Sequence, residues 1–157
     1  MKKSQLQLVR YMVSDISCTT NPAYSPDAAL EHCADQFDVR TSISRFDESE
    51  DPLVHPWSVE MTVTQQVGPK QNFPYSFKLA LLGLFEVRPT DHGPRDEELF
   101  VKVNACSVLY GAARELIRSI TAVGSWGDLI LPTVSFYDPK PVQSETNDPN
   151  PAPAPAQ

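Results

Sequence analysis

Four stretches of the chain alternate between apolar and polar residues with a period of two, which is typical of β-strands. They span residues 5–17, 36–46, 57–67 and 75–87. The third stretch is the most regular, because apolar residues from Trp57 to Val67 occupy one face and polar residues from Ser58 to Gln66 occupy the other. The pattern therefore predicts a sheet of four strands.

The first and fourth of these strands are apolar on both faces. In the fourth, Phe77, Leu79 and Leu81 lie on one face, while Leu82 and Leu84 lie on the other. A strand of this kind has to be covered from both sides. One helix of the same chain can cover one face, so we expect a second subunit to cover the other, and hence an oligomer.

A helix is predicted near the C-terminal end of the chain. Apolar residues from Leu109 to Val123 recur at steps of three and four, and Gly124 follows the last of them, where helices commonly end. Residues 99–109 alternate weakly, as a strand would, but they could also be a first helical segment broken near Gly111, and we favour mostly helix. The main helix is thus expected over the region Leu99–Gly124, followed by Trp126 in a loop and an apolar run from Leu129 to Pro132.

The end of the chain differs from the rest in composition. Residues 138–157 contain six of the 15 prolines and no sustained apolar period. Proline-rich segments of this kind favour extended or disordered structure. The sequence therefore predicts one domain over residues 1–137 and a disordered tail over residues 138–157.

Charge and cysteine content narrow the choice of partner and compartment. The net charge is −7, which argues against nucleic acid and anionic membrane as partners. No run approaches the length of a membrane helix, and no apolar signal segment follows the first lysines. Three cysteines without a paired CxxC motif indicate a reducing compartment, so we expect a cytoplasmic protein.

Motifs for chemistry are sparse. No glycine-rich nucleotide loop is present. The adjacent pair His32 and Cys33 could ligate a metal, and Cys106 could pair with a distant histidine (His32, His55 or His92) as a nucleophile, but no supporting motif surrounds them. We therefore expect no enzyme, no metal site and no cofactor.

The C-terminal stretch also resembles the signature of the SecB chaperone family. Ala113-Arg114-Glu115 opens the helical pattern, and Leu131-Pro132-x-Val134-x-Phe136 follows the loop, in the order and spacing of that family. Residues 6–17 resemble its first strand, and residues 59–67 and 75–87 resemble its central hairpin. The resemblance covers residues 6–136.

This resemblance implies an α+β fold in which helices pack on one face of a four-stranded antiparallel sheet. It also implies dimers that assemble into a tetramer, and ATP-independent holding of unfolded preproteins for delivery to SecA. By family position, subunit contacts would fall on Phe77, Leu79 and Leu81. An apolar client groove would be lined by the helix–loop region and a neighbouring strand, with the residues Trp126, Leu129, Leu131, Phe136 and Trp57.

Two departures from the family keep an alternative open. The second long helix that usually follows the matching phenylalanine is replaced here by the proline-rich segment after Phe136. Thr19 and Lys78 stand where carboxylates that face SecA are expected, although Asp15 is kept. The alternative is a SecB-like module dedicated to one partner, such as the antitoxin of a toxin–antitoxin system.

Overall fold

A computed structural model describes residues 3–28, 37–46, 51–68, 71–88 and 96–137. Within these residues, four strands precede one helix. The elements are β1 (Leu6–Thr20), β2 (Phe37–Arg45), β3 (His55–Gln65), β4 (Tyr75–Val87) and α1 (Glu97–Thr121). The strands form one sheet in the order β1-β4-β3-β2, and every neighbouring pair is antiparallel.

This architecture confirms the predicted fold class, an α+β fold with one main helix on a four-stranded antiparallel sheet. The bounds of β4 are those expected from the alternation. The helix is continuous through Gly111, so the weakly alternating residues before it belong to the same element. The division at residue 137 stays a prediction, since residues 138–157 lie outside the described part of the chain.

Local chemistry fixes where α1 begins. The carboxylate of Asp96 accepts a hydrogen bond from the backbone N–H of Leu99, which caps the first turn. Glu97 and Glu98 place negative charge in that turn, and Arg118 places positive charge in the last one. Both choices complement the helix macrodipole.

The hydrophobic core lies between α1 and the central strands. Alternate residues of β3 and β4 point toward the helix and are buried, as are eight residues of α1. The largest of the apolar side chains that are almost fully buried are Tyr75, Phe73, Phe85, Met61, Leu79, Leu81, Leu109, Ile117 and Leu131. α1 contacts β1, β3 and β4, and it approaches β2 through the side chain of Cys106.

Candidate functional site

The edge strand β1 carries an unusual amount of exposed apolar surface. Six of its large apolar side chains are between 36% and 58% exposed: Leu8, Val9, Tyr11, Met12, Val13 and Ile16. Soluble chains seldom leave such a contiguous patch uncovered without a use for it. This patch is the first candidate surface, and we call it the β1 patch.

The register of β1 assigns these side chains to faces. Tyr11 pairs with Gly83, Val13 with Leu81 and Ile16 with Leu79, so they share the face that carries α1. Met12 pairs with Leu82 and lies on the outer face. Register shifts between Leu8 and Arg10, and again between Val13 and Asp15, interrupt the alternation. The β1 patch therefore has apolar area on both sides of the sheet.

The opposite flank of α1 is occupied by the chain itself. The side chain of Cys106 contacts Thr41 of β2, so this side of the helix faces β2. Residues 128–137, which we call the strap, have no helix or strand structure and are held by Tyr110 and Arg114. These two residues follow Cys106 at steps of four, so the strap lies along the same flank of α1. The last described segment ends at Tyr137, and it contains no second helix after α1.

Side chains of α1 hold the strap by its main chain. Thr121 Oγ1 accepts a hydrogen bond of 2.8 Å from the N–H of Leu129. Further along, Arg114 Nε donates to the carbonyl oxygen of Leu131 at 2.9 Å, and Tyr110 Oη donates to that of Pro132 at 2.8 Å. The strap thus runs antiparallel to α1.

The apolar residues of the strap face inward. Leu131 is almost completely buried in the core. Leu129, Val134 and Phe136 are half-buried against the core, and the ring of Phe136 meets that of Tyr110 edge to face at 5.9 Å. Ile130, by contrast, is 64% exposed.

Trp126 lies in the loop that leads from α1 into the strap. Its indole N–H donates to the carbonyl oxygen of Asn21, and its ring meets that of Tyr24 edge to face at 5.2 Å. Its backbone N–H donates to the hydroxyl of Tyr75, which in turn donates to the carbonyl oxygen of Gly127. These contacts hold the indole in place while 38% of the residue stays exposed.

Reactive groups are not assembled into a catalytic constellation in the described part of the chain. Burial raises the pKa of the Cys106 thiol, which keeps it in the unreactive protonated form at neutral pH. His55 Nδ1 lies 2.7 Å from Glu97 Oε2, and the indole N–H of Trp57 donates to Glu97 Oε1 at 2.9 Å. That cluster fastens the start of α1 to β3.

Metal binding finds no support among the described residues, where no group of three or more histidine, cysteine and carboxylate side chains could hold an ion. The predicted candidates His32 and Cys33 lie outside the described residues, as does His92. The metal hypothesis at that pair is therefore not tested by the structure.

Comparison with known families places this architecture. The sequence model of the family described as preprotein translocase subunit SecB matches residues 1–138. This chain belongs to the SecB family. The resemblance predicted from the C-terminal signature is thereby confirmed. No curated protein sequence matches the chain.

Solved structures agree with the SecB fold. One is a SecB-like chaperone from Mycobacterium tuberculosis, in complex with a ChAD peptide from the HigA1 antitoxin. It has a TM-score of 0.53 at 15% identity, covering 83% of this chain and 91% of that one. Another is a protein of unknown function from Streptococcus agalactiae, with a TM-score of 0.56 at 8% identity and coverage of 82% and 97%. In the described part of this SecB-family chain, none of the helices is both long and apolar enough to span a bilayer.

The structure distributes the predicted client-groove residues over three environments. Trp126 is partly exposed, and Leu129 and Phe136 are half-buried in the strap. Leu131 and Trp57 are core residues, at 1% and 6% exposure. Leu129 and Phe136 therefore lie at the surface beside α1, and Leu131 and Trp57 lie beneath it. Trp126 lies beyond the end of α1, against Asn21 and Tyr24, which follow β1.

The predicted subunit contact needs a correction. Phe77, Leu79 and Leu81 are 3%, 0% and 1% exposed, because α1 of the same chain covers them. Side chains already buried within one chain cannot cover a partner. The uncovered apolar surface lies instead on β1 and on the outer face of β4, at Ala80, Leu82 and Leu84.

The sequence did not predict the side chains of α1 that hold the strap, namely Tyr110, Arg114 and Thr121, which we call the cradle. Arg114 belongs to the quoted family signature, but neither its hydrogen bond to a strap carbonyl oxygen nor that of Tyr110 is predicted by the sequence. A signal was available, since the two residues stand four apart and so share one flank of α1.

Proposed function

We propose that this SecB-family protein is an ATP-independent chaperone that holds nonnative polypeptides through exposed apolar surface. The client groove runs along the flank of α1 that faces β2. Leu129 and Phe136 contribute to it at the surface, Leu131 and Trp57 lie below, and Trp126 lies at the end of the groove, against Asn21 and Tyr24. The clients are unfolded polypeptides or preproteins.

The observation that carries this proposal is the exposed apolar surface of an acidic chain, which comprises the β1 patch and the exposed side chains of Trp126, Ile130 and Tyr137. A holding chaperone needs such surface but no reactive group, and adaptable apolar contacts suit many client sequences. Net negative charge keeps such a protein soluble while its apolar surface is open.

Self-association through the β1 patch completes the proposal. The edge of β1 is free to pair with another strand, and its exposed apolar side chains would be buried by a second copy. Dimers formed in this way leave the flank with the strap accessible. Assembly of two dimers into a tetramer, implied by the family, belongs to the same proposal.

Delivery to SecA has less support from the outer face of the sheet. The retained Asp15 forms an ion pair of 2.6 Å with Lys78, so its charge is balanced. Among the paired strand residues that the structure describes, four carboxylates and three cations share this face: Asp15, Asp38, Glu60, Glu86, Arg10, Arg40 and Lys78. Such a balance does not provide a strongly acidic docking surface. We therefore propose holding of clients without a requirement for SecA.

A second candidate function is protection of one dedicated partner. The SecB-like chaperone from M. tuberculosis, whose structure contains an antitoxin peptide, favours it. Under this alternative, the same groove would accept one peptide, such as part of an antitoxin, and would reject generic unfolded chains.

Light scattering tests the main proposal. An unfolding client such as reduced α-lactalbumin is allowed to aggregate with increasing amounts of the protein and no nucleotide, and we expect suppression near stoichiometric ratios. Trp126→Ala should raise the concentration needed for half-suppression about threefold or more, since aromatic side chains dominate such contacts. Val123→Ala, which removes an apolar residue that is 90% exposed nearby, should have no effect.

A panel of clients separates the two functions. Protection of several unrelated unfolded proteins supports the general chaperone, whereas protection of one antitoxin alone supports the dedicated module. Failure to protect any of them would overturn both. Capture of clients from cells, with SecA measured in the same sample, tests whether delivery to SecA occurs.

A further inference from the structure

The strap has the features of a bound peptide rather than of an integral part of the fold. Within the described residues, no backbone-to-backbone hydrogen bond joins residues 128–137 to a strand or to α1. It is held by side chains of the helix, two of which donate to its carbonyl oxygens. Its inward apolar residues at positions 129, 131, 134 and 136 pack on the hydrophobic core beside α1.

We propose that the strap is an internal competitor for the client groove, and that a client segment binds by displacing it. This inference rests on the proposed function and changes it in one respect: Leu129, Leu131 and Phe136 occupy the groove when no client is present, and they leave it when a client binds. The occupant is an extended peptide with apolar residues at similar spacing, which takes over the contacts of the strap with α1.

The chemistry of the cradle suits exchange between peptides of different sequence. Arg114 Nε and Tyr110 Oη donate to carbonyl oxygens, and every residue of any peptide offers a carbonyl oxygen. Thr121 Oγ1 accepts from a backbone N–H, which only proline lacks. These contacts set the direction of the bound chain without reading its side chains, while the space filled by Leu131 favours an apolar residue.

The covered state also explains how a groove of this kind avoids collapse when no client is present. Leu131 is buried in the core, so its removal without a replacement would leave an unfilled space. A client with a suitable apolar residue fills that space, and the strap then moves into solvent. The strap thereby sets a threshold, because weakly apolar segments cannot replace it.

Methyl NMR on the wild-type full chain provides the first test. Without client, the Leu131 methyl resonances should have the dispersed shifts of a packed side chain. On saturation with reduced α-lactalbumin, we expect them to move to random-coil positions, while those of Leu109 stay dispersed. Leu131 resonances that remain dispersed in the saturated complex would overturn the proposal.

Variants of the strap provide the second test. Leu131→Ser should weaken strap occupancy and tighten client binding about fivefold or more, because the groove is then open in a larger fraction of molecules. Ile130→Ser, which alters the neighbouring exposed residue, should leave client affinity unchanged. A synthetic peptide with the sequence of residues 128–137 should compete with the client on the Leu131→Ser protein. Weaker client binding by a folded Leu131→Ser variant, or no competition by the peptide, would contradict displacement.

The two proposals fail in different ways. If the wild-type protein suppresses aggregation and Leu131 stays packed in the complex, the chaperone function stands and the strap is a fixed wall of the groove. If the wild-type protein holds no client, the proposed function itself is wrong. Should Leu131→Ser fail to fold, the methyl measurement on the wild type still decides the question.

Discussion

Leu109 of α1 packs directly against Gly83 of β4. A Cβ atom added at Gly83 would lie 2.8 Å from Leu109 Cδ2 and 2.7 Å from Phe85 Cε2, closer than real Cβ contacts. Both neighbouring side chains are buried, so neither can turn away into solvent. The absence of a side chain at this position lets the helix approach the middle of the sheet.

Gly83→Ala should therefore destabilise the protein by about 1–3 kcal/mol, the usual cost of overpacking a core. Urea denaturation measures the free energy of unfolding. The control is Gly111→Ala, since a Cβ there meets nothing within 4 Å and the residue lies inside α1. That change should stabilise by up to about 1 kcal/mol through helix propensity. A Gly83→Ala protein as stable as the wild type would contradict the close approach.

The face to which this helix docks could not be predicted from the sequence. In β4 both faces are apolar, and a period of two does not say which of them the helix covers. Judged from the sequence alone, the odd-numbered residues from Phe77 to Leu81 are therefore as plausible a subunit contact as the even-numbered ones. Only the packing of α1 against Gly83 and its neighbours decides between them.

The bounds of β4, by contrast, could be predicted from the sequence. The alternation over Tyr75–Val87 gave the strand bounds because long regular strands leave little ambiguity. The start of α1 was less clear, since residues 99–109 fit both periods, and the capping by Asp96 depends on a backbone geometry that the sequence does not state. The burial of Leu131 depends on contacts between distant parts of the chain, so a local pattern could not reveal it.

Because Leu81 is buried in the core and Val9 is exposed on β1, aspartate substitutions at these two positions should have different effects. Leu81→Asp places a charge in the core of one chain and should cost about 4 kcal/mol or more, so it should unfold the protein. Val9→Asp places the charge in the β1 patch, where the valine is 58% exposed, and should leave the monomer folded. Circular dichroism and sedimentation velocity report fold and mass.

We expect Val9→Asp to shift the protein to smaller species with unchanged secondary structure, because the charge would be buried between copies. Ser42→Asp on β2 is a matched control on a strand outside the proposed contact. An unchanged sedimentation coefficient for Val9→Asp would remove β1 as the site of self-association.

The contacts of Glu97 give a prediction for stability. Glu97→Gln and Glu98→Gln each remove one negative charge from the first turn of α1, so they share the loss of the helix-dipole interaction. Only Glu97 also bonds to Trp57 and His55. The Glu97 variant should therefore be about 1–2 kcal/mol less stable in urea denaturation than the Glu98 variant. Equal values would mean that the cluster contributes little.

The thiol of Cys106 gives a prediction for reactivity and pH dependence. Burial raises the pKa of both Cys106 and Cys18, but Cys106 is completely buried and Cys18 is only half-buried. Alkylation of Cys106 in the native protein should therefore be slower than that of Cys18, and urea should remove the difference. Peptide mass spectrometry measures both rates.

The raised pKa of Cys106 also makes the free energy of unfolding depend on pH. A raised pKa in the folded state means that the contribution is fully present below the unfolded pKa of about 8.5 and is lost as the pH rises through the folded pKa. The wild type should thus lose more stability between pH 7 and pH 10 than Cys106→Ala does. Client holding by the alanine variant should match that of the wild type, and a loss of holding by a folded variant would revive a role for the thiol.

The position of α1 on the sheet separates two surfaces of the chain, the β1 patch and the strap. Mutations that alter partner choice on the β1 side need not disturb the strap on the other side, because the helix and its buried strands separate them. The number of subunits in the assembly and the range of bound clients can therefore change independently during evolution. An engineer could alter one of these properties by mutation without changing the other.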